Sequence, residues 1–337
     1  MAKIGVLGAG GFGIALSVMC NKMGHEVTLW SAFPAEITEI IRDGQNLRLL
    51  PKVKIPQEIK LTSNIEDLQG NDLIILAVPS FAVRETAHKL QPYMGEGSVL
   101  ATVAKGLEDQ SHKRLSEVIA EELPQCKIVV ISGPSHAEEV ATGVPTTVVA
   151  ASSSRQAAEH VQDLLMNPTL RIYVNDDIKG VEYGGALKNV IALAAGICDG
   201  QKLGDNSKAA LMTRGITEIA RLGVALGANH ETFGGLSGIG DLIVTCTSMH
   251  SRNRRAGIFI GQGNTARQAL EKVGMTVEGY LATKAAYELS KSVDVEMPIV
   301  EQCYLVLYKN KSPKKAIADL MGRPKRHESE TIWLQTK

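Results

Sequence analysis

The sequence predicts a protein of the α/β class, in which a parallel, doubly wound sheet is followed by an all-helical region. Three observations support this prediction. Short apolar runs alternate with helical segments through the first half of the chain, as in strands joined by crossover helices. The run Leu73–Val78 is apolar at every position, which is typical of a strand buried on both faces of a sheet. Beyond Lys179-Gly180 the strand pattern stops, and alanine- and leucine-rich helical patterns replace it.

The chain begins with a strand that runs directly into glycines. The apolar run Ile4–Leu7 is followed by Gly8, Gly10 and Gly13, and the segment Phe12–Met23 is an apolar helix candidate. In a dinucleotide-binding unit of the Rossmann type, the first glycine permits the turn, the second admits a pyrophosphate and the third lets the helix pack closely. The free N–H groups and the dipole at the helix N-terminus favour that negative charge. The alternative is an ordinary glycine-rich turn between a strand and a helix.

Two domains follow from this pattern and from the length of 337 residues. We expect a dinucleotide-binding, Rossmann-type domain at residues 1–179. An all-helical substrate and catalytic domain is expected at residues 180–337. Further strands are predicted at Glu26–Trp30, Leu73–Val78, Ser98–Val103, Lys127–Ile131, Thr146–Ala151 and Leu170–Val174.

Several polar segments follow these strands directly. Right-handed crossovers would place the carboxyl ends of all the strands on one edge of the sheet, where ligands bind. The glycine turn, Pro79-Ser80, Lys105 and Gly133–Ala137 are therefore candidates for a single site. Lys105 is the informative member, because it is a cation on a short loop at a strand end. Its alternative role is that of a solvated surface lysine.

The end of the second strand bears on the choice between NAD and NADP. An acidic residue commonly holds the ribose 2′-OH there, about 20 residues beyond the glycines. Here Trp30 is followed by Ser31-Ala32-Phe33-Pro34, with no acidic residue before Glu36 and no arginine before Arg42. The missing acid removes a repulsion against a 2′-phosphate, although no basic residue clearly attracts one. We expect NADP, or use of both cofactors.

A lysine in the second half is a candidate general base. The apolar helix Val181–Gly196 contains Gly184 and Gly185, which lower helix stability unless another group must approach the backbone closely. Lys188 lies one turn beyond Gly184, on the face that lacks bulky side chains. Burial there would lower its pKa and allow the amine to accept a proton. A lysine that extends from a buried helix to water is equally compatible with the pattern.

A second polar cluster lies at residues 238–255. Asp241 and Thr245 are four residues apart and would share a helix face. An arginine flanked by serine and asparagine donors, as in Ser251-Arg252-Asn253, is suited to clamping a phosphate or another oxyanion. Arg254 and Arg255 are interpreted as surface or interface charges.

The composition argues against several classes of protein. Lys+Arg and Asp+Glu both total 36, so no overall attraction to nucleic acid or an anionic membrane is indicated. The five cysteines form no C-x-x-C pair and no metal-like spacing, so we expect no metal and a reducing compartment. The N-terminus leaves no room for a signal peptide before the first strand, and no apolar run reaches the ~20 residues of a membrane span. These features predict a cytoplasmic protein.

Taken together, the motifs resemble the bacterial type of NAD(P)-dependent glycerol-3-phosphate dehydrogenase almost from end to end. They are G-A-G-G-F-G at Gly8–Gly13, V-P-S at Val78–Ser80, A-K-G-L-E at Ala104–Glu108, S-G-P-S-H-A at Ser132–Ala137, G-G-A-L-K-N-V at Gly184–Val190, G-x-G-D-L-x-x-T-C-T at Gly238–Thr247, S-R-N-R-R at Ser251–Arg255 and V-E-G-Y at Val277–Tyr280.

The resemblance implies a role for each matching position. Lys188 would accept the proton of the substrate C2 hydroxyl, and Lys105 and Asp241 would complete the catalytic group. The implied substrate contacts are Lys105, Gly133, Ser135, Lys188, Asn189, Asp241, Thr245, Ser251, Arg252 and Asn253, with Asn189 and Thr245 in supporting positions. The implied cofactor contacts are Gly8, Gly10, Gly11, Phe12, Gly13, Lys105, Ala137, Arg252 and Glu278.

The implied activity is hydride transfer between NAD(P)H and dihydroxyacetone phosphate, which gives sn-glycerol 3-phosphate for phospholipid synthesis. One alternative is another two-domain dehydrogenase that acts on a hydroxyacid or a sugar acid. Another is a regulatory protein that senses a dinucleotide without turnover. We expect a small phosphorylated triose as the substrate and a homodimer, because the second half is rich in apolar helices.

Overall fold

The computed structural model describes residues 1–325, 327 and 328. Residues 326 and 329–337, at the end of the predicted helical domain, lie outside the described residues. The strands are β1 (Lys3–Leu7), β2 (Glu26–Trp30), β3 (Lys60–Thr62), β4 (Leu73–Leu76), β5 (Val99–Thr102), β6 (Lys127–Ser132), β7 (Thr146–Ala151) and β8 (Leu170–Asn175).

Helices flank the sheet and make up the second half of the described chain. In the first half they are α1 (Gly11–Lys22), α2 (Pro34–Asp43), α3 (Val83–Leu90), α4 (Leu115–Glu122), α5 (Ala137–Thr142) and α6 (Arg155–Leu165). In the second half they are α7 (Ile178–Gly200), α8 (Asp205–Ala225), α9 (Asp241–Thr247), α10 (Arg252–Gly261), α11 (Ala266–Val273), α12 (Glu278–Ser292), α13 (Pro298–Tyr308) and α14 (Pro313–Met321).

The eight strands form one sheet in the order β3-β2-β1-β4-β5-β6-β7-β8. Strands β1 to β6 are parallel, which confirms the predicted α/β class and the doubly wound core. The prediction that all strands end at one edge is wrong for β7 and β8, because β7 is antiparallel to β6 and parallel to β8. The β6–β7 connection stays at one edge of the sheet, so β7 begins where β6 ends. The short edge strand β3 was not predicted.

The central strand β4 explains why a wholly apolar run forms this sheet. Leu73 and Ile75 belong to the apolar core on one face, whereas Ile74 and Leu76 belong to the core on the other face. Alternate side chains of a strand point to opposite faces, so both layers of helices bury part of this strand. The strand ends at Leu76, three residues before Pro79, and a proline cannot donate a hydrogen bond to the ladder.

Helix α7 is the axis of the second half. It is 23 residues long, and every residue from 180 to 198 is buried. It contacts α8, α9, α10 and α12, so its apolar surface is covered by protein on several sides. No helix in the described part of the chain is both long and apolar enough to cross a membrane. The predicted boundary between residues 179 and 180 lies within the first turn of α7, and it stays a prediction.

Helices α7 and α10 approach each other through glycines. A Cβ atom on Gly196 would lie 2.0 Å from the Arg254 carbonyl oxygen, and one on Gly257 would lie 2.0 Å from the Leu193 carbonyl oxygen. Only the absence of side chains permits this approach of the two backbones. The contact holds the N-terminal half of α10 directly against the helix that carries Lys188.

Candidate active site

Four parallel strands deliver the predicted groups to one edge of the sheet. The glycine turn follows β1, Ser80 follows β4, Lys105 follows β5 and Gly133 follows β6. Because these strands are parallel, their carboxyl ends share that edge. The reversal of β7 therefore leaves the predicted cluster intact, since all the candidates at strand ends follow β1, β4, β5 or β6.

The glycine turn has the geometry that its spacing predicts. Gly8 has φ 117°, and a Cβ atom there would lie 2.7 Å from the Ala77 carbonyl oxygen. A Cβ atom on Gly13 would lie 1.9 Å from the Gly8 carbonyl oxygen, so α1 can pack this closely only through a glycine. The backbone N–H of Gly8 donates to the Trp30 carbonyl oxygen (2.8 Å), which fixes the turn beside the end of β2.

The N-terminus of α1 fits a dinucleotide pyrophosphate. Gly10 is the N-cap residue, no side chain caps the helix, and its first turn contains no acidic residue. A Cβ atom on Gly10 would meet nothing within 4 Å, so the space beside this N-cap residue is open. Gly11 and Ala137 lie at the starts of α1 and α5, with 3.6 Å between the Ala137 Cβ and the Cβ position of Gly11. Uncapped N–H groups and the helix dipole make this cradle suitable for an anion.

Helix α7 brings Lys188 into the interior of the protein. A Cβ atom on Gly184 would lie 2.7 Å from the Ser237 carbonyl oxygen, and one on Gly185 would lie 2.7 Å from Ser132 Oγ. The two glycines therefore let other segments approach the helix backbone, as the sequence predicted. Lys188 is only 5% exposed, so it does not extend to water.

The Lys188 ammonium is held by two partners on α9. Its Nζ donates to Asp241 Oδ1 and to Thr245 Oγ1, the latter at 2.6 Å. Thr245 Oγ1 in turn donates to the Asp241 carbonyl oxygen (2.6 Å). One turn of α9 thus presents both groups on the same face, in agreement with their spacing of four residues.

Asp241 joins two lysines from different parts of the fold. Its Oδ2 accepts a hydrogen bond from Lys105 Nζ (2.7 Å), and Lys105 Nζ also donates to the Gly133 carbonyl oxygen (2.8 Å). Burial alone would raise the pKa of Asp241, but the two lysines outweigh burial, and the pKa lies below its usual range. Asp241 is therefore a buried carboxylate whose charge is balanced from both sides.

The pKa of Lys188 is lowered to about 8. Burial is the main cause, because a charged ammonium is costly away from water. Asp241 opposes this effect by favouring the charged form, and the positive charge of Lys105 adds to the lowering. An amine with this pKa can both accept and release a proton near neutral pH, as a general acid–base catalyst must.

Two asparagines connect the helices around this centre. Asn253 Nδ2 donates to Asn189 Oδ1 (2.9 Å), and Asn253 Oδ1 accepts from the backbone N–H of Gly279 (2.8 Å). Asn189 Nδ2 lies 3.5 Å from the Lys105 carbonyl oxygen, the limit of a hydrogen bond. The two side chains hold α7, α10 and α12 in register behind the lysines.

Arg252 begins α10 and is exposed, whereas the neighbouring Ser251 is buried. The Ser251 hydroxyl caps α10 by accepting from the backbone N–H of Arg254 (3.2 Å). The carboxylate of Glu278, at the start of α12, accepts from Ser80 Oγ (2.7 Å). Burial raises the pKa of Glu278, and the bonds from Ser80 and the charge of Arg252 oppose that shift. Arg252 is thus free to meet a ligand from outside, with Glu278 near it.

Two features of this edge were not predicted from the sequence. Burial lowers the pKa of His136, and the positive charge of Lys188 lowers it further. The Nε2 atom of His136 is buried and has no hydrogen-bond partner among the described residues. The Glu36 carboxylate returns to the end of β2, where it accepts from Ser31 Oγ (2.6 Å). A group of three or more His, Cys, Asp or Glu side chains suited to a metal ion does not occur within residues 1–325, 327 and 328.

A doubly wound sheet with an open helix N-terminus, facing buried lysines on a helical unit, is the architecture of a two-domain, dinucleotide-dependent dehydrogenase. Comparisons with known proteins identify the family of dehydrogenases to which the chain belongs. Residues 3–158 match the family model of the NAD-dependent glycerol-3-phosphate dehydrogenase N-terminus, and residues 177–318 match that of the C-terminus. The chain belongs to this dehydrogenase family.

Relatives support the assignment over the whole chain. Glycerol-3-phosphate dehydrogenase [NAD(P)+] of Desulfitobacterium hafniense is 53% identical over 334 residues, which cover 99% of this chain and 95% of the relative. The protein of the same name from Moorella thermoacetica is 53% identical, with 98% of each chain covered. The crystal structure of glycerol-3-phosphate dehydrogenase from Coxiella burnetii superposes with a TM-score of 0.92 at 39% identity, covering 96% of this chain and 99% of that chain.

Proposed function

We propose that the protein interconverts dihydroxyacetone phosphate and sn-glycerol 3-phosphate with a nicotinamide dinucleotide, and so supplies glycerol 3-phosphate for phospholipid synthesis. The observation that carries this proposal is the buried lysine centre. Lys188, with its pKa lowered to about 8, is paired with Asp241, which Lys105 reaches from the edge of the sheet. The names of the relatives support the choice of substrate and reaction.

The cofactor would be held by the glycine turn and the residues around it. The pyrophosphate would lie over Gly10 and the N-terminus of α1, where Gly11 and Phe12 contribute backbone N–H groups. When bound, the nicotinamide ring supplies a hydride to C2 of the ketone or takes one from C2 of the alcohol. The cofactor contacts predicted for Gly8, Gly10, Gly11, Phe12, Gly13, Lys105, Ala137, Arg252 and Glu278 stay predictions.

Lys188 performs the proton transfer in this scheme. In the oxidation of the alcohol, its neutral amine takes the proton of the C2 hydroxyl, and in the reduction its ammonium returns that proton. Asp241 and Thr245 hold Nζ in place by accepting its hydrogen bonds. Lys105 adds a second positive charge beside the oxygen that becomes negative, which stabilises the transition state.

Arg252 would bind the substrate phosphate. Its guanidinium can donate two parallel hydrogen bonds to phosphate oxygens, and the Gly196–Gly257 contact fixes α10 relative to Lys188. A substrate clamped at its phosphate presents C2 in a defined position, which is the main requirement of a hydride transfer. The remaining substrate contacts stay predictions: Gly133, Ser135, Asn189, Thr245, Ser251 and Asn253. The side chains of Asn189, Thr245, Ser251 and Asn253 all form hydrogen bonds within the protein.

We also retain as proposals the two-domain division at residues 1–179 and 180–337, a homodimer and a cytoplasmic location. The net charge of zero supports a small-molecule substrate in preference to nucleic acid. Size-exclusion chromatography with light scattering would test the homodimer, and a monomeric mass would contradict it.

Steady-state kinetics test the proposed reaction. The purified protein is assayed for nicotinamide oxidation with dihydroxyacetone phosphate and, as the matched control, with dihydroxyacetone, which lacks only the phosphate. We expect turnover with the former and kcat/KM lower by orders of magnitude with the latter. Preference for a substrate without phosphate would favour a hydroxyacid or sugar-acid dehydrogenase. Cofactor binding without turnover of any triose phosphate would favour a dinucleotide sensor.

A further inference from the structure

An acidic side chain lies at the end of β2 even though no acidic residue directly follows that strand in the sequence. Helix α2 begins at Pro34, and Glu36 is in its first turn. Ser31 Oγ donates to Glu36 Oε2 (2.6 Å), while the backbone N–H of Phe33 donates to Ser31 Oγ (3.2 Å). These bonds fold the start of α2 back onto the strand end and hold the carboxylate there.

The second carboxylate oxygen of Glu36 faces the glycine turn. Asn46 Nδ2 donates to Glu36 Oε1 (3.2 Å) and to the carbonyl oxygen of Ala9 (3.4 Å), which lies between Gly8 and Gly10. Asn46 is only 7% exposed, so this bridge is part of the packed structure. The carboxylate therefore lies between the end of β2 and the phosphate-binding turn. In a doubly wound dinucleotide-binding domain this corner receives the ribose of the adenosine half.

The charge of Glu36 has no basic partner among its described contacts, since Ser31 and Asn46 are both neutral. The arginine expected from the sequence to be nearest, Arg42, donates from Nε and Nη2 to Asp43, each at 2.8 Å. Its guanidinium is thus paired with a carboxylate on the same helix. A 2′-phosphate at this corner would meet the negative charge of Glu36, which neither Ser31 nor Asn46 neutralises.

We infer that Glu36 selects the cofactor: it accepts a hydrogen bond from a free ribose 2′-OH and repels a 2′-phosphate, so that the protein prefers NADH to NADPH. A carboxylate has about four lone-pair sites, and Ser31 and Asn46 occupy only two of them, so capacity remains for the ribose hydroxyl. This inference rests on the proposed function, because it requires a dinucleotide at the glycine turn. It reverses the expectation of NADP or dual use that followed from the missing acid after Trp30.

Binding measurements test the inference independently of turnover. Dissociation constants for NADH and NADPH are measured by calorimetry or by nicotinamide fluorescence on the wild type, on Glu36→Gln and on Glu39→Gln. Glu39 is an exposed acid on the same helix and serves as the matched control. We expect the wild type to bind NADH at least about tenfold more tightly than NADPH. Glu36→Gln should raise the affinity for NADPH by about tenfold, whereas Glu39→Gln should leave both affinities unchanged.

The wild-type ratio decides the question even if a variant folds poorly. Equal affinities for the two dinucleotides, or tighter binding of NADPH, would overturn this inference and leave the proposed function standing. An unchanged ratio in a folded Glu36→Gln protein would also overturn it. If neither dinucleotide binds, the proposed function fails, and this inference fails with it.

Discussion

Replacement of Lys188 tests the centre of the proposed mechanism. In Lys188→Ala the amine that accepts and returns the proton is removed, and the residual reaction must exchange that proton with water. Loss of a positioned general acid–base group lowers kcat by a factor of about 10²–10⁴. We expect this loss in both directions of the reaction. Lys188→Met should behave alike, because it keeps most of the side-chain volume and removes only the charge and the proton.

The variant is expected to fold, because Asp241 would not become an isolated buried charge. Lys105 Nζ still donates to Asp241 Oδ2 at 2.7 Å, and this contact lies on the opposite oxygen from the one that Lys188 uses. Breaking a buried pair is most destabilising when a charge is left without any partner. The circular dichroism spectrum and the cofactor dissociation constant of the variant should therefore remain close to those of the wild type.

The assay is nicotinamide absorbance in the stopped flow, with substrate saturating so that kcat is separated from KM. A folded Lys188→Ala protein that keeps more than about a tenth of the wild-type kcat would remove Lys188 from the proton transfer. A loss confined to KM would instead give Lys188 a role in binding only.

Three further predictions follow from the geometry. Alcohol oxidation needs neutral Lys188, so the kcat of oxidation should rise with pH and level off above about pH 8. Ketone reduction needs the Lys188 ammonium, so the kcat of reduction should fall above about pH 8. Parallel pH profiles for the two directions would contradict this assignment. Arg252→Lys should raise KM for the phosphorylated substrate about tenfold, because the two-pronged contact is lost, and an unchanged KM would locate the phosphate elsewhere. Gly257→Ala should lower the free energy of unfolding by about 1–3 kcal/mol, since its Cβ would lie 2.0 Å from the Leu193 carbonyl oxygen. Gly234→Ala, whose Cβ would meet nothing within 4 Å, is the control, and an equal loss in the two chemical denaturation curves would refute the packing argument.

The chemistry of the site was predictable where it depends on neighbours in the chain. The turn at Gly8 and Gly13 and the pair Gly184-Gly185 before Lys188 each have a local physical requirement that glycine alone meets. The sequence therefore predicted the dinucleotide turn and made Lys188 a candidate general base, whereas its burial, as opposed to an extension to water, is known only from the structure.

What could not be predicted depends on residues far apart in the chain. Lys188 and Asp241 are 53 positions apart, and only the packing of α9 on α7 shows that they touch. The Gly196–Gly257 contact is of the same kind. The position of Glu36 was missed for a different reason, because a search for an acid next to the strand ignores a helix start that folds back. The reversed direction of β7 depends on how the β6–β7 connection packs, and the periodicity of apolar residues in the sequence gives no information on that packing.

Because Asp241 contacts both lysines, the proton affinity of Lys188 depends on the distance between the two halves of the molecule. Lys188 and Asp241 both belong to the helical half, whereas Lys105 follows a strand, so any separation of the halves would break the Lys105–Asp241 contact and leave the Lys188–Asp241 contact in place. Lys188 would then lose a repelling neighbour and hold its proton more firmly. The proton affinity of Lys188 therefore depends on Lys105 being in place beside Asp241. An apparent pKa in Lys105→Ala that equals that of the wild type would argue against such a coupling.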